Sequence, residues 1–581
     1  MQIKKNRLSD LHNNEVEFPR EKLHLSYVKS PGFYYGYKTL GEKFDNTVAL
    51  HGERPAMISR FFDKIYPREM VWTWNQMNEM VTNLALGLLN LGLKKGDKMG
   101  ICADSTPNFW IPQLACAKIG VIFFPIPPRH RHTEFHHVLS HSKAKGLFFT
   151  EKDWATGFSF IDMLNQFKAD LPDLEHLIIS RGELKKGTIS MYELMGKDQQ
   201  TKYPKDYINK TYLKENPVLP EDLRDLQYTS GTTGNPKGVV CTYNARNYQT
   251  WGGNIRINLT KDDVYLCMAP ATHATATSHI MDSAVLSGGA LVMPGAFDPK
   301  YTLELIDKYK VSFTAGVPAF FIMMMNHPDF SKYDLSSLKK MWIGGAACPE
   351  ATSLEIKEKI GGGEAQLFAA YGMTETGGDI MTSSEDPVEV FSTTVGKPCA
   401  GVEMSIQDGV ENVVSVGTPG EVCHRGGVLM VEYYKNPEAT QKTIDKKGWL
   451  HSGDVGLINK DGNLKIIGRS GDKINRGGEI IYVREVEEIL FKHPKIMEIN
   501  IVGYPDKAMD ERSCAFVILK KKDETLTREE IVGFLAGKIA KYKIPDRIEF
   551  VDSFPLSAGG KVQKFKLKKI IAEKVKNKIS D

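Results

Sequence analysis

The spacing of apolar positions changes from segment to segment along this chain. Leu84-Ala-Leu-Gly-Leu-Leu-Asn-Leu91 is apolar almost throughout and stops at Gly92, which predicts a buried helix; Lys98-Met-Gly-Ile-Cys-Ala103 predicts the strand that follows it. Val121-Ile-Phe-Phe-Pro-Ile-Pro-Pro128 is far too short for a membrane span and is broken by prolines, so it predicts a buried strand. Tyr265-Leu-Cys-Met268, Ala290-Leu-Val-Met293 and Val311-Ser-Phe-Thr314 predict three more short strands between helices. Strand and helix alternating in this way imply parallel sheets covered by helices, here two related ones. The first 40 residues are polar, punctuated by aromatics and by Pro19, Pro31 and Gly32, and are expected to form a surface extension. After Gly456 the pattern changes: Asp461-Gly462 predicts a hairpin turn, Asn463–Gly468 a strand, and Arg469-Ser-Gly-Asp472 a polar break. Beyond it a helix over Val483–His493, strands near Ile499–Val502 and Ala515–Ile518, and a lysine-rich tail predict a small α+β unit. The expected division is an extension over residues 1–44, an α/β domain over 45–470 and a C-terminal domain over 471–581.

Composition supports more than one domain, because 581 residues exceed what one hydrophobic core serves. Hydrophobic residues at 41% and charged residues at 25% describe an ordinary globular protein, and a net charge of +4 spread along the chain gives no reason to expect a nucleic-acid partner. The cysteines at 102, 116, 241, 267, 348, 399, 423 and 514 include no C-x-x-C pair and no histidines at zinc-finger spacing. They read as reduced thiols. The residues Met1–Asp10 lack the apolar core of a secretory signal, and the expected location is cytoplasmic.

The most informative stretch is Tyr228-Thr-Ser-Gly-Thr-Thr-Gly-Asn-Pro-Lys-Gly238. Leu226-Gln227-Tyr228 predicts a short strand, and the residues after it supply backbone amides, hydroxyls and a lysine able to surround a polyanion such as a nucleotide triphosphate tail. A P-loop is excluded, since Gly234 is followed by Asn235-Pro236-Lys237 and not directly by Lys and Ser or Thr. A nucleophile elbow is excluded as well, since Tyr228 stands two positions before Ser230 where that turn needs Gly. On composition alone, a phosphate cradle and a solvated Gly/Thr/Ser loop both remain open.

That stretch resembles the signature of the AMP-forming adenylating enzymes: acyl- and aryl-CoA synthetases, aryl acid-AMP ligases, peptide-synthetase adenylation domains and firefly luciferase. Further stretches match in the same order: Gly344-Gly345-Ala346-Ala347, Tyr371-Gly372-Met373-Thr374-Glu375, Gly448-Trp449-Leu450-His451-Ser452-Gly453-Asp454, Gly468-Arg469 and Gly559-Gly560-Lys561. The resemblance covers roughly residues 45 to 570. It implies a large α/β domain with a small barrel-like subdomain and a small, mobile C-terminal α+β lid. It also implies a carboxylate attacking the α-phosphorus of ATP, with Mg²⁺ present, and a later transfer of the acyl group to coenzyme A.

By the same resemblance, Thr229, Ser230, Gly231, Thr232, Thr233, Gly234 and Lys237 would hold the β- and γ-phosphates. Thr374 would contact the α-phosphate, and Glu375 would hold Mg²⁺, a hard cation that takes oxygen ligands. Ala370, Tyr371, Gly372 and Met373 would line the nucleotide, Tyr371 lying against the adenine with Gly345, Ala346 and Ala347 on its other side. Asp454 would accept the ribose hydroxyls, with Arg469 reinforcing it. Lys561 would bridge substrate carboxylate and α-phosphate; locally only its place after Gly559-Gly560 separates it from the solvated lysines at 564, 566, 568 and 569. Lys473, Gly477 and Gly478 would serve the CoA step after rotation about Gly471, where relatives often carry Asp or Lys and where glycine permits a large backbone change.

The acyl pocket would involve His273, Ala274, His279, Gly345 and Ala370. Segments Asp472–Glu479, Glu511–Phe516 and Tyr542–Arg547 are most similar to the aryl acid-activating branch, whose members usually carry His-Asn where this chain has His273-Ala274. Losing the amide removes a partner for a ring hydroxyl, which points to an unhydroxylated cyclic or aromatic acid or a medium-sized aliphatic one. Histidines at 132 and 136 and at 137 and 141 have the i,i+4 spacing that can bind Zn²⁺, but the pairs fall on different helix faces. The run Lys561–Lys578 reads as an amphipathic helix docked on its own domain. The expected partner is a small-molecule carboxylate, with no nucleic acid and no integral membrane segment; a homodimer is compatible with the sequence. Two other readings are a ligase that loads a carrier protein and a silent nucleotide-binding protein. Intact Lys561, Glu375, Asp454 and Arg469 weigh against the second.

Overall fold

The computed structural model describes residues 25–29, 38–60, 68–153, 156–204, 206–229, 236–346, 348, 350–506, 508–521, 525–556 and 562–577. Two large sheets dominate. One has eight strands; its run from Leu223–Thr229 through Ile122–Pro125, Lys98–Cys102, Gly146–Thr150 and His176–Arg181 to Ile189–Ser190 is parallel. The other has nine strands, and the run from Gln366–Met373 through Lys340–Gly344, Phe313–Gly316, Val264–Leu266 and Ala290–Val292 to Pro55–Ser59 is parallel too. The predicted strands are therefore present, displaced by one to three residues at some ends. Leu84–Leu91 is the C-terminal half of a longer helix, Trp74–Asn90, whose start is fixed by a capping box between Thr73 and Gln76.

The main core lies between the two sheets. It joins Met99, Phe123 and Phe148 of the first to Leu291, Phe313 and Phe368 of the second through helices Trp74–Asn90 and Pro107–Ile119. The second helix is buried at every position, its Asn108, Gln113 and Lys118 included, with Lys118 paired to Asp45.

A third, antiparallel sheet orders Tyr27–Lys29, Val402–Gln407, Gly420–Gly426, Leu450–Ile458 and Leu464–Arg469. Part of the expected surface extension is thus built into the fold: Tyr27–Lys29 adds a strand beside Val402–Gln407, with Val28 buried among Met404, Ile406 and Val422. Alternation over only three residues was too short a signal to read. Helix Leu40–His51 also runs across position 44, so a division there would cut a helix.

The C-terminal sheet, Glu479–Ile481, Ile474–Arg476, Asp510–Leu519 and Ile496–Asp506 with Arg547–Phe550 beside Asp510–Leu519, has its own apolar clusters. Helix Val483–Leu490 is three residues shorter than expected. Helix Lys564–Asn577 buries Leu567 and Ile571 against this sheet, as the amphipathic reading of the tail requires.

Candidate active site

The ends of the glycine-rich stretch are fixed opposite one another. Leu223–Thr229 and Lys237–Thr242 pair antiparallel with Thr229 facing Lys237. Ser230, Gly231, Thr232, Thr233 and Gly234 lie outside the described residues, as do Ala347 and Lys561. Two of the histidines weighed above as an i,i+4 pair stand against the stretch: His137 Nε2 donates to the Pro236 carbonyl at 3.1 Å, and His141 Nδ1 lies 3.0 Å from the Tyr228 hydroxyl. His137 and His141 stack on each other, whereas His132 and His136 pack on Phe167, so the i,i+4 pairs do face different ways.

The strand Gln366–Met373 and the turn after it present Tyr371, Thr374 and Glu375. The turn is tight because strand Gly377–Met381 folds straight back, and a Cβ on Gly372 would meet the Gly377 carbonyl oxygen at 1.6 Å. Only glycine fits there. Thr374 is half-buried in this turn. Glu375 is buried, and its Oε1 accepts the Tyr433 hydroxyl at 2.6 Å; among the described residues Oε2 accepts no hydrogen bond. Burial and then the Glu375 charge hold the Tyr433 phenol well above its ordinary range, so it stays a donor. Lys237 Nζ sits 4.6 Å from the centre of the Tyr433 ring. This links the glycine-rich stretch to Glu375. A carboxylate with one oxygen anchored and one open offers the hard donor that Mg²⁺ requires, so the expected role fits the geometry.

Asp454 owes its position to a bulge. Opposite Glu421 and Cys423, whose partners are Val455 and His451, the residues Ser452, Gly453 and Asp454 take up the extra length. Ser452 Oγ donates to the Val422 carbonyl at 2.7 Å, and Gly453 N donates to Glu421 Oε1 at 2.9 Å. From this bulge Asp454 accepts the Tyr371 hydroxyl on Oδ2 at 2.7 Å and faces Arg469 Nε at 3.5 Å from Oδ1. Each carboxylate oxygen has two acceptor sites, which leaves room for a pair of hydroxyls. Burial and then the Asp454 charge push the Tyr371 phenol far up, so it also stays protonated. Behind Tyr371, stacked on its ring at 5.7 Å, is His424, whose Nδ1 lies 2.8 Å from Asp379 Oδ2; Asp379 Oδ1 accepts from Thr376. The sequence reading missed this support, since no local pattern ties residues 45 positions apart.

An apolar cleft, partly open to solvent, adjoins the strand Gln366–Met373. Ala269, Pro270, Val317, Phe320 and Trp342 form its walls, His273 and Thr275 one rim, and Gly344 and Gly345 the end beside Ala370. Of the five residues expected in an acyl pocket, His273 and Gly345 line this cleft. Ala274, His279 and Ala370 are not on the wall. Ala274 is buried in the short helix that His273 caps, and the Ala370 backbone backs Gly344. His279 stands behind Trp342, with ring centres 4.4 Å apart, and its Nε2 accepts the Gly378 N–H at 3.0 Å. Burial, then Arg246 and His273, push its pKa down to about 3, so it serves as a neutral acceptor in the core. His273 is held as a cap through Nδ1, which accepts from Thr275 N at 3.2 Å, and this fixes its ring beside the cleft.

In the C-terminal region, Gly477 and Gly478 form the two-residue turn between Ile474–Arg476 and Glu479–Ile481, with φ of 63° and 95°. Both angles lie in the left-handed region that glycine adopts without strain. Lys473 is exposed beside them, and a side chain on Gly471 would meet no atom within 4 Å.

Comparison with known proteins agrees with this geometry. A model of the AMP-binding enzyme family matches residues 44–434, and one of the AMP-binding enzyme C-terminal domain matches residues 485–561. The chain belongs to the AMP-binding enzyme family. The mitochondrial medium-chain acyl-CoA ligase ACSF2 of Bos taurus is 32% identical over 567 residues, covering 94% of this chain and 89% of its own. The medium-chain fatty-acid–CoA ligase of Escherichia coli strain K12 is 31% identical over 506 residues, covering 87% and 86%. The solved structure of the anthranilate CoA ligase AuaEII in complex with anthranoyl-AMP superposes with a TM-score of 0.80 at 24% identity, over 92% of this chain and 97% of that one. At that identity it shares the fold. The expected family, α/β fold and AMP-forming ligase chemistry all agree with these matches. No described helix is long and apolar enough to cross a membrane.

Proposed function

We propose that this AMP-binding family member is an ATP-dependent carboxylate–CoA ligase that acts on medium-sized, predominantly apolar acids. The observation that carries this is the cleft walled by Val317, Phe320 and Trp342, whose inner end, Gly344 and Gly345, adjoins the strand bearing Tyr371, Thr374 and Glu375. A carboxylate seated in it with its chain along the apolar wall has its reacting end at the nucleotide face. The two relatives named as medium-chain ligases support the aliphatic choice over the aryl one.

In this reading, the stretch from Thr229 to Gly234, with Lys237, holds the β- and γ-phosphates, and Thr374 contacts the α-phosphate. Tyr371 lies against the adenine, and Asp454 with Arg469 receives the ribose hydroxyls. Mg²⁺ at Glu375 would neutralise charge on the leaving pyrophosphate. Lys561 brings a cation to the substrate carboxylate and α-phosphate as they react, which stabilises charge that develops only in the transition state. For the second half-reaction the C-terminal domain, taken from Gly471 onward, turns so that Lys473 and the Gly477-Gly478 turn meet the thiol.

A panel of short, medium and long straight-chain acids, benzoate and hydroxylated benzoates, scored for AMP release with and without CoA, tests the reading. The expected result is CoA-dependent release that peaks on medium chains. A peak on an aryl acid, or AMP release indifferent to CoA, would contradict it.

A further inference from the structure

On the barrel-like antiparallel sheet, away from the apolar cleft, side chains with no role in ligation converge around His451. Cys423 and His451 are cross-strand partners, and Glu421 lies two residues before Cys423 on the same strand face. His451 Nδ1 is 2.9 Å from Glu421 Oε2 and 3.5 Å from Cys423 Sγ, and the three ligand atoms all lie within 4.8 Å of one another. Cys423 is fully buried. On the other side of the ring, His451 Nε2 is 3.5 Å from Asp445 Oδ2. The Asp445 side chain is 10% exposed; its Oδ1 accepts the N–H groups of Lys447 and Trp449, while Oδ2 is buried without a hydrogen-bond partner. Glu411 also approaches that side of the ring but is paired with Lys447 at 3.2 Å.

We propose that Glu421 Oε2, Cys423 Sγ and His451 Nδ1 form a binding site for one zinc-class divalent cation, with water as the fourth ligand and Asp445 orienting the imidazole from behind. The donor set selects the ion: a thiolate and an imidazole beside one carboxylate suit Zn²⁺, whereas Mg²⁺ and Ca²⁺ take oxygen ligands. The dimensions agree. Tetrahedral zinc with bonds of about 2.0–2.3 Å sets its ligands about 3.3–3.6 Å apart, so the thiol–imidazole spacing is already right and Oε2 must retreat by a few tenths of an ångström. The unpartnered Asp445 oxygen, facing the ring nitrogen that the metal would not use, is the carboxylate–histidine arrangement that fixes ligand orientation in zinc sites. On binding, the Cys423 thiol and His451 Nδ1 give up their protons to solvent. The site is wired to the nucleotide face, because the other oxygen of Glu421 holds Gly453 N beside Asp454.

The full-length chain, stripped with chelator and kept free of ATP, is titrated with Zn²⁺ and, as a spectroscopic probe, Co²⁺. The expected outcome is one equivalent of Zn²⁺ retained through desalting, together with a thiolate-to-cobalt absorption band that disappears in Cys423→Ser. Asp445→Asn should keep the band and weaken Zn²⁺ binding by about 10–100-fold. A band that persists in Cys423→Ser assigns the metal to another thiol and overturns the proposal, as does a wild-type protein that retains no zinc. Should Cys423→Ser fail to fold, an unchanged Zn²⁺ affinity in Asp445→Asn overturns it on its own.

Discussion

The half of the candidate site around Tyr371, Glu375 and Asp454 and its C-terminal half are built on opposite principles. Asp454, Tyr371 and Glu375 are each held by long-range contacts: Tyr371 to Asp454 across 83 residues and Tyr433 to Glu375 across 58. Gly477 and Gly478 are exposed on a two-residue turn, Lys473 is exposed before the strand that leads to it, and Gly471 has open space around it. The contrast separates a surface that must hold one geometry from a surface that must be brought to it. Preorganised groups act without reorganising when charge develops, whereas a delivered group needs a backbone free to change.

The largest break in this contrast should come from Asp454→Ala, which removes the acceptor shared by Tyr371 and Arg469. In that variant kcat/KM for ATP in pyrophosphate exchange should fall by about 10²–10³-fold. Gly471→Pro should act on the other half alone, leaving pyrophosphate exchange near the parental rate and slowing CoA-dependent thioester formation by roughly 10²-fold through the blocked rotation. Normal overall turnover in that variant would remove Gly471 as the hinge. Tyr433→Phe is milder: the lost hydrogen bond to the Glu375 carboxylate is of a kind that contributes about 1.5–3 kcal/mol, so the Mg²⁺ concentration for half-maximal exchange should rise roughly tenfold.

The smallest effect concerns stability. The pKa of His279 is held at about 3 in the fold against an ordinary 6.5, so the unfolded chain takes up a proton in that window and the folded one refuses it. This contribution is fully present above pH 6.5 and is lost as pH falls toward 3, with a slope approaching about 1.4 kcal/mol per pH unit. Urea midpoints across that window should fall less steeply in His279→Gln, whose amide oxygen can still accept the Gly378 N–H. Equal slopes would show that another group dominates.

How much was legible followed from the range of the contacts. Local signals located the strands and helices: the apolar runs of the two sheets, the stop at Gly92 and the amphipathic tail on Leu567 and Ile571. Gly477 and Gly478 were named only through the family resemblance, and the structure adds that they form a turn at positive φ. What escaped was set by residues distant in sequence. His279 was read as lining the pocket, yet its partner is a backbone amide 99 residues away, and Asp379, His424 and Tyr433 carry no motif that ties them to Tyr371 or Glu375. The Tyr27–Lys29 strand escaped because three residues show too little alternation.

The central claim is that the fixed half lacks one cation until the C-terminal region supplies it. Lys561→Ala, assayed in separate half-reactions, tests this most directly. Acyl adenylate formation should fall by about 10²–10³-fold, while thioester formation from supplied acyl adenylate and CoA keeps close to its parental rate. Adenylate formation at the parental rate would contradict the account.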